Sequence, residues 1–157
     1  NWRETRPEDI SYDMARLGLK DDTSYVAYEY WSDEFVAPFK GELNRHLEPG
    51  TCQVLALKPK RSHPQLISTS RHITQGLMDV RKEQWNPRSH TLTGVSKLVG
   101  GDPYELRIAV PRETSLSLAG VRAHGAEVTD RQMADRGIRV TLESERSQEV
   151  TWQVAFK

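Results

Sequence analysis

A single cysteine, Cys52, is the whole thiol inventory of these 157 residues, which excludes an internal disulfide framework and any thiolate metal cluster. Charge of one sign is missing too. The 22 Lys and Arg residues balance 22 Asp and Glu residues, and they are scattered rather than gathered into a basic stripe. That pattern argues against nucleic acid or an anionic membrane as a partner. No window approaches the roughly 18 apolar residues that a membrane-spanning helix needs. The longest apolar runs, such as YVAYEYW, have the length of a strand, and no secretory signal is recognisable. Numbering opens on Asn1 without a methionine, which suggests a piece cut from a longer polypeptide.

What the sequence does hold is enough bulk for a core. A chain of this length buries roughly two-thirds of the surface it exposes when unfolded. Trp2, Trp31, Trp85, Trp152 and the five tyrosines are core candidates. Short runs rich in β-branched and aromatic residues recur between Gly and Pro turn signals. SYVAYEYW, EFVAPFKGEL and TCQVLALKP make a first meander. HTLTGVSKLV, YELRIAVP, SLSLAGVRAHG, GIRVTLES and EVTWQVAF continue in the same style, and in the last of these Val150, Trp152 and Val154 share one face. The predicted fold is all-β, an antiparallel β-sandwich of jelly-roll or Greek-key type with little helix. PEDISYDMARLGL fits either a short helix capped by Asp9 or Ser11 and stopped by Gly18, or a strand alternating at Ile10, Tyr12 and Met14. ITQGLMDVRKEQW, interrupted by Gly76, is predicted as a short helix or a structured loop. Alternation in TCQVLALK predicts Cys52 as a small buried hydrophobe. Residues 1–157 read as one sandwich, with an alternative of two halves, 1–59 and 60–157, joined through KPKRSHP.

The densest polar stretch is SHPQLISTSRHITQG, Ser62 to Gly76. Ser68, Ser70 and His72 invite comparison with a nucleophile and its base, but no GxSxG elbow or supporting glycine turn surrounds either serine. His46, His63, His72 and His90 form no HxH or HxxxH pair, so neither a metal nor any other cofactor is predicted. Asp33, Glu34, Asp102 and Glu105 are acids near turns, and no two of them announce a glycosidase pair. A sugar platform would draw on Trp31, Trp85, Tyr28 and Tyr30. The structural reading of Ser62–Gly76 is a buried crossing segment, with His63, Arg71, His72 and Gln75 bracing a junction.

At YVAYEYWSDEFVAPFKGEL, followed by LEPGTCQVLALKP, the chain resembles the C-terminal β-sandwich of the alpha-galactosidase (melibiase) superfamily of glycoside hydrolases and its bacterial relatives. Trp31, Gly41, the stretch Glu48 to Cys52 and Leu55 to Pro59 carry the likeness. HPQLISTSRHITQG, Trp85 and TLTGVSKLVGGDPYELRI extend it, so that it covers most of residues 10 to 110. In such enzymes the catalytic acids lie in an upstream barrel, for which this chain has no room. The resemblance therefore implies a non-catalytic accessory domain that packs on and stabilises a catalytic domain of the same polypeptide. It transfers no catalytic residue, and it implies an exported parent only by association. The alternative is a carbohydrate-binding module, and a remote third reading is an esterase built on Ser70 and His72.

Overall fold

The computed structural model describes residues 1–157. Every sheet is antiparallel, and the only helical segment is a single 3₁₀ turn, Ala15–Leu17. The all-β sandwich expected from the sequence is what forms. No helix is long and apolar enough to cross a membrane. The chain divides into two compact units, Asn1–Lys60 and Arg61–Lys157.

The N-terminal unit holds β1 (Glu8–Asp13), β2 (Ser24–Glu29), β3 (Glu34–Lys40), β4 (Glu42–Leu47) and β5 (Leu55–Pro59). β1 pairs with β4, and β3-β2-β5 form a three-stranded sheet. Met14, Tyr25 and Leu43 make its buried centre, with Leu19, Phe39 and Leu55 packed against them. Both readings of PEDISYDMARLGL are partly realised: residues 8–13 run as a strand, and Asp13 then caps the Ala15 amide at 2.8 Å to start the 3₁₀ turn. Gly18 ends that turn at φ 73°, where a side chain would be strained. Pro38 is tolerated because β3 is an edge strand, and the β2–β3 register slips between Tyr25 and Ala27.

Cys52 departs from its expected buried place and is exposed. The reason is that β5 begins only at Leu55, where its ladder partner Glu29 ends β2. Residues 51–54 lie outside any ladder, so alternation does not govern them, and the Val54 amide is held instead by Glu29 Oε1 at 3.0 Å.

The C-terminal unit is a sandwich of two four-stranded sheets, β10-β13-β8-β7 and β11-β12-β9-β6. Its strands are β6 (Gln65–Thr69), β7 (Val80–Asn86), β8 (Thr91–Leu98), β9 (Tyr104–Ala109), β10 (Leu118–His124), β11 (Glu127–Ala134), β12 (Gly137–Glu143) and β13 (Gln148–Phe156). The chain changes sheets five times, at β6–β7, β8–β9, β9–β10, β10–β11 and β12–β13, and the central pairs β8–β13 and β9–β12 face each other across the core. That core contains Val150, Trp152 and Val154, each 0% exposed, on the face the alternation of EVTWQVAF marked. Trp152 lies opposite Gly94 on β8 and donates its indole N–H to Ser96 Oγ at 2.9 Å. Leu92, Gly94, Ser96 and Leu98 share that inward face, and the two small residues make room for the large ring.

Three strands of this C-terminal unit escaped the sequence pattern. β6 was expected as a crossing segment and is the edge strand beside β9. β7 occupies the second half of ITQGLMDVRKEQW, where a loop or short helix was predicted. A register shift between Val80 and Lys82 moves the inward positions from Val80 to Glu83 and Trp85, which erases simple period-two alternation. β11 is exposed almost throughout, so it has no apolar face to betray it.

Candidate functional site

The polar stretch that stood out in the sequence builds a fixed loop in the C-terminal unit. β6 enters it at Thr69 and β7 leaves it at Val80. At its base sits Asp79, 7% exposed, whose carboxylate accepts four hydrogen bonds. Oδ2 takes the hydroxyls of Thr69 at 2.7 Å and Tyr104 at 2.6 Å. Oδ1 takes the Thr74 hydroxyl at 2.8 Å and the Gly76 amide at 3.0 Å. The Asp79 carbonyl accepts the Lys97 amide at 2.8 Å, which ties the loop to the far sheet as well. Within the loop, the Gln75 amide reaches the Arg71 carbonyl and the Leu77 amide reaches the Thr74 carbonyl, both at 2.8 Å. Gly76 adopts φ 100°, a conformation that a side chain would resist.

Burial by itself raises the Asp79 carboxyl pKa. The hydroxyls of Tyr104, Thr69 and Thr74 outweigh that effect and hold it below the ordinary aspartate value. Burial and the bond to Asp79 push the Tyr104 phenol up. In the N-terminal unit Glu29 is treated alike: burial raises it, but the amide and hydroxyl of Ser32 and the amides of Val54 and Trp31 bring it below the usual glutamate range. A carboxylate with a lowered folded pKa contributes stability that is complete above its unfolded pKa, about 4, and is lost as pH falls through the folded value. Urea midpoints are therefore expected to fall as pH drops below about 4. Asp79→Asn should flatten the acid limb of the C-terminal unit, and an unchanged limb in that variant would refute this account of Asp79.

Outward the loop presents three large apolar side chains alongside His72. Ile73 is 90% exposed, Leu77 85% and Met78 69%. Arg71 stands at one flank, bonded to the Asp102 carboxylate, with its guanidinium 5.4 Å from the Tyr104 ring centroid. Ser68 Oγ, Arg71 Nη2 and Gln75 Oε1 are buried without a hydrogen-bond partner, and all three belong to this one stretch.

The sequence candidates fall out as follows. The Ser70 amide donates to the Glu105 carbonyl and its Oγ accepts the Glu105 amide, so it extends the β6–β9 ladder. His72 is exposed on the loop. Glu105 accepts from Arg107 Nε at 2.8 Å, and Arg107 in turn holds the Thr69 carbonyl at 3.2 Å. Trp85 is covered on its flanks by two imidazoles, His63 at 5.4 Å and His90 at 6.3 Å, both nearly parallel to the indole. His63 also bonds the neighbouring Pro64 carbonyl through Nδ1 at 2.8 Å. Tyr28 is 0% exposed and its hydroxyl bonds Asp33, so its ring has no face to offer a sugar. Tyr30 meets Trp31 edge-on at 5.0 Å, and Trp31 is 56% exposed at the tip of the β2–β3 turn. Glu34 opens β3 beside that turn. His46, on β4, lies between Asp9 at 2.7 Å and Glu48 at 3.4 Å. No group of three His, Cys, Asp or Glu side chains is placed to hold a metal ion.

The chain matches no family model, no curated protein and no solved structure. Its site is thus described by its own geometry. Asp79, Thr69, Thr74 and Tyr104, which fix the loop, were not singled out from the sequence. The available signal was three bulky apolar residues, Ile73, Leu77 and Met78, in a segment with no strand alternation.

Proposed function

We propose that this chain is a non-catalytic accessory domain of an alpha-galactosidase-like glycoside hydrolase, and that it packs on and stabilises the catalytic domain. One observation supports this above the others: the Arg71–Asp79 loop is rigidly fixed at its base and apolar at its tip. Ile73, Leu77 and Met78 stand exposed within one six-residue span of that loop, and large apolar side chains exposed together mark an interaction site. Fixing it beforehand removes most of the ordering entropy that association would otherwise cost. The resemblance of residues 10 to 110 to the C-terminal sandwich of those enzymes supplies the kind of partner. Sugar binding is the weaker reading, because Trp31 is the one candidate ring that stands open while Tyr28 is buried and Trp85 is flanked.

Removing this chain from the longer polypeptide is expected to lower the melting temperature of the hydrolase domain by several degrees, with kcat on an aryl α-galactoside unchanged before heating. Differential scanning calorimetry and residual activity after heating read the two effects. A hydrolase domain that melts at the same temperature with and without this chain would overturn the proposal.

A further inference from the structure

We infer that His46 is a proton-operated clamp on β1: as an imidazolium it bridges Asp9 and Glu48 and holds the β1–β4 ribbon closed, and loss of its proton lets β1 open. The ribbon needs such a clamp. β1 has β4 as its one ladder partner, and none of its side chains is fully buried. A two-stranded ribbon is marginally stable by itself in water. Asp9 lies directly opposite His46 in the register. Nδ1 of the imidazole meets Asp9 Oδ1 at 2.7 Å, and Nε2 faces Glu48 Oε1 at 3.4 Å. A carboxylate only accepts and a neutral imidazole carries one N–H, so the doubly protonated ring alone donates to both sides. The neutral ring turns a lone pair on one of the two carboxylates.

The surrounding charges make that proton matter more. On the face that carries Asp9 and His46, alternation also places Ser11 and Asp13 from β1 with Glu42 and Asn44 from β4. Asp13 stands opposite Glu42, a like-charged pair that disfavours the ladder. His46 is the one basic side chain on that face of the two strands. Arg45 belongs to the other face, where its Nε donates to Gln53 Oε1 at 2.7 Å, and Arg3 reaches Glu8 at 3.9 Å. The hydrogen bond to Asp9, joined by the charges of Asp9 and Glu48, outweighs desolvation and holds the His46 pKa above the ordinary histidine value. A folded pKa raised in this way gives a stabilisation that is complete below the unfolded value, about 6.5, and is lost as pH rises through the folded one.

His46 is the only histidine in Asn1–Lys60, so its ring can be followed by itself in that unit. Amide hydrogen exchange over residues 8–13, corrected for the intrinsic rate, is expected to quicken about three-fold or more between about pH 5.5 and 8.5. Its midpoint should match the NMR titration of the His46 ring and lie above about 6.5. β2, whose ladders run to β3 and β5, should keep its protection throughout. His46→Gln is expected to abolish the pH step. Asp9→Asn should lower the midpoint of the ring and leave β1 as loosely protected at low pH as the parent chain is at high pH. Both side chains are exposed, so neither substitution reaches the core. A ring midpoint at the ordinary histidine value, or β1 exchange that does not follow the ring, overturns the inference. A pH step that survives in His46→Gln overturns it in favour of the amino group of Asn1, which donates to the Thr51 carbonyl at 2.8 Å.

Discussion

Gly94→Ala is expected to lower the stability of the C-terminal unit by about 3 kcal/mol, the upper part of the range for overpacking a rigid core. In a unit of this size that is a fall of roughly 12–24 °C in melting temperature. The cause is the cross-strand pair Gly94–Trp152 at the centre of the sandwich. A Cβ on residue 94 would fall 2.5 Å from Trp152 Cε2 and 2.6 Å from Cη2. Carbon atoms in contact stand about 3.5–4.0 Å apart, so the ring must move by more than an ångström. It has nowhere to go: Trp152 is 0% exposed, and its N–H is held by Ser96 on the same strand as Gly94. Moving the indole would break that bond and strand a buried donor. In a Trp152→Phe background the same Gly94→Ala change should cost much less, because the smaller ring vacates part of the space. Urea unfolding of the four chains of this double-mutant cycle gives the coupling directly. Additive costs would show that the clash is not the cause.

Asp79→Ala is expected to cost about 4 kcal/mol and to free the loop. The buried carboxylate satisfies three hydroxyls and an amide at once, and a hydrogen bond to a charged acceptor is worth about twice a neutral one. Alanine leaves those donors without an acceptor, and Tyr104, at 0% exposed, cannot turn to water for a replacement. Asp79→Asn keeps the shape but places a donor amide where acceptors are needed, so a loss of about half that size is expected. The urea midpoint reads the stability, and amide exchange over residues 71–79 reads the loop. Protection factors unchanged at Gly76 in Asp79→Ala would show that the network does not hold the loop.

Alternation was the legible part of this sequence. It marked β8, β9, β10, β12 and β13, because each of these has an inward face set by neighbours two residues apart. It failed wherever the ladder slips or the strand has no buried face, as at β7, with its shift after Val80, and at β11. Cys52 was misjudged for a related reason, since a pattern says which face a residue takes but not where the ladder begins.

The sequence by itself determined an all-β antiparallel protein with Val150, Trp152 and Val154 turned inward, because period-two patterning is a local property that any sheet must respect. It also marked Ser62–Gly76 as a polar stretch in need of partners. Only the tertiary structure decided who those partners are. Thr69, Thr74, Gly76 and Tyr104 come from a strand end, a loop and a distant strand, and they converge on Asp79 because β6 and β9 lie side by side. Such convergence depends on strand order, which leaves no periodic trace. The same folding turned Ile73, Leu77 and Met78 outward, where a reading of hydrophobicity alone would have placed them in a core.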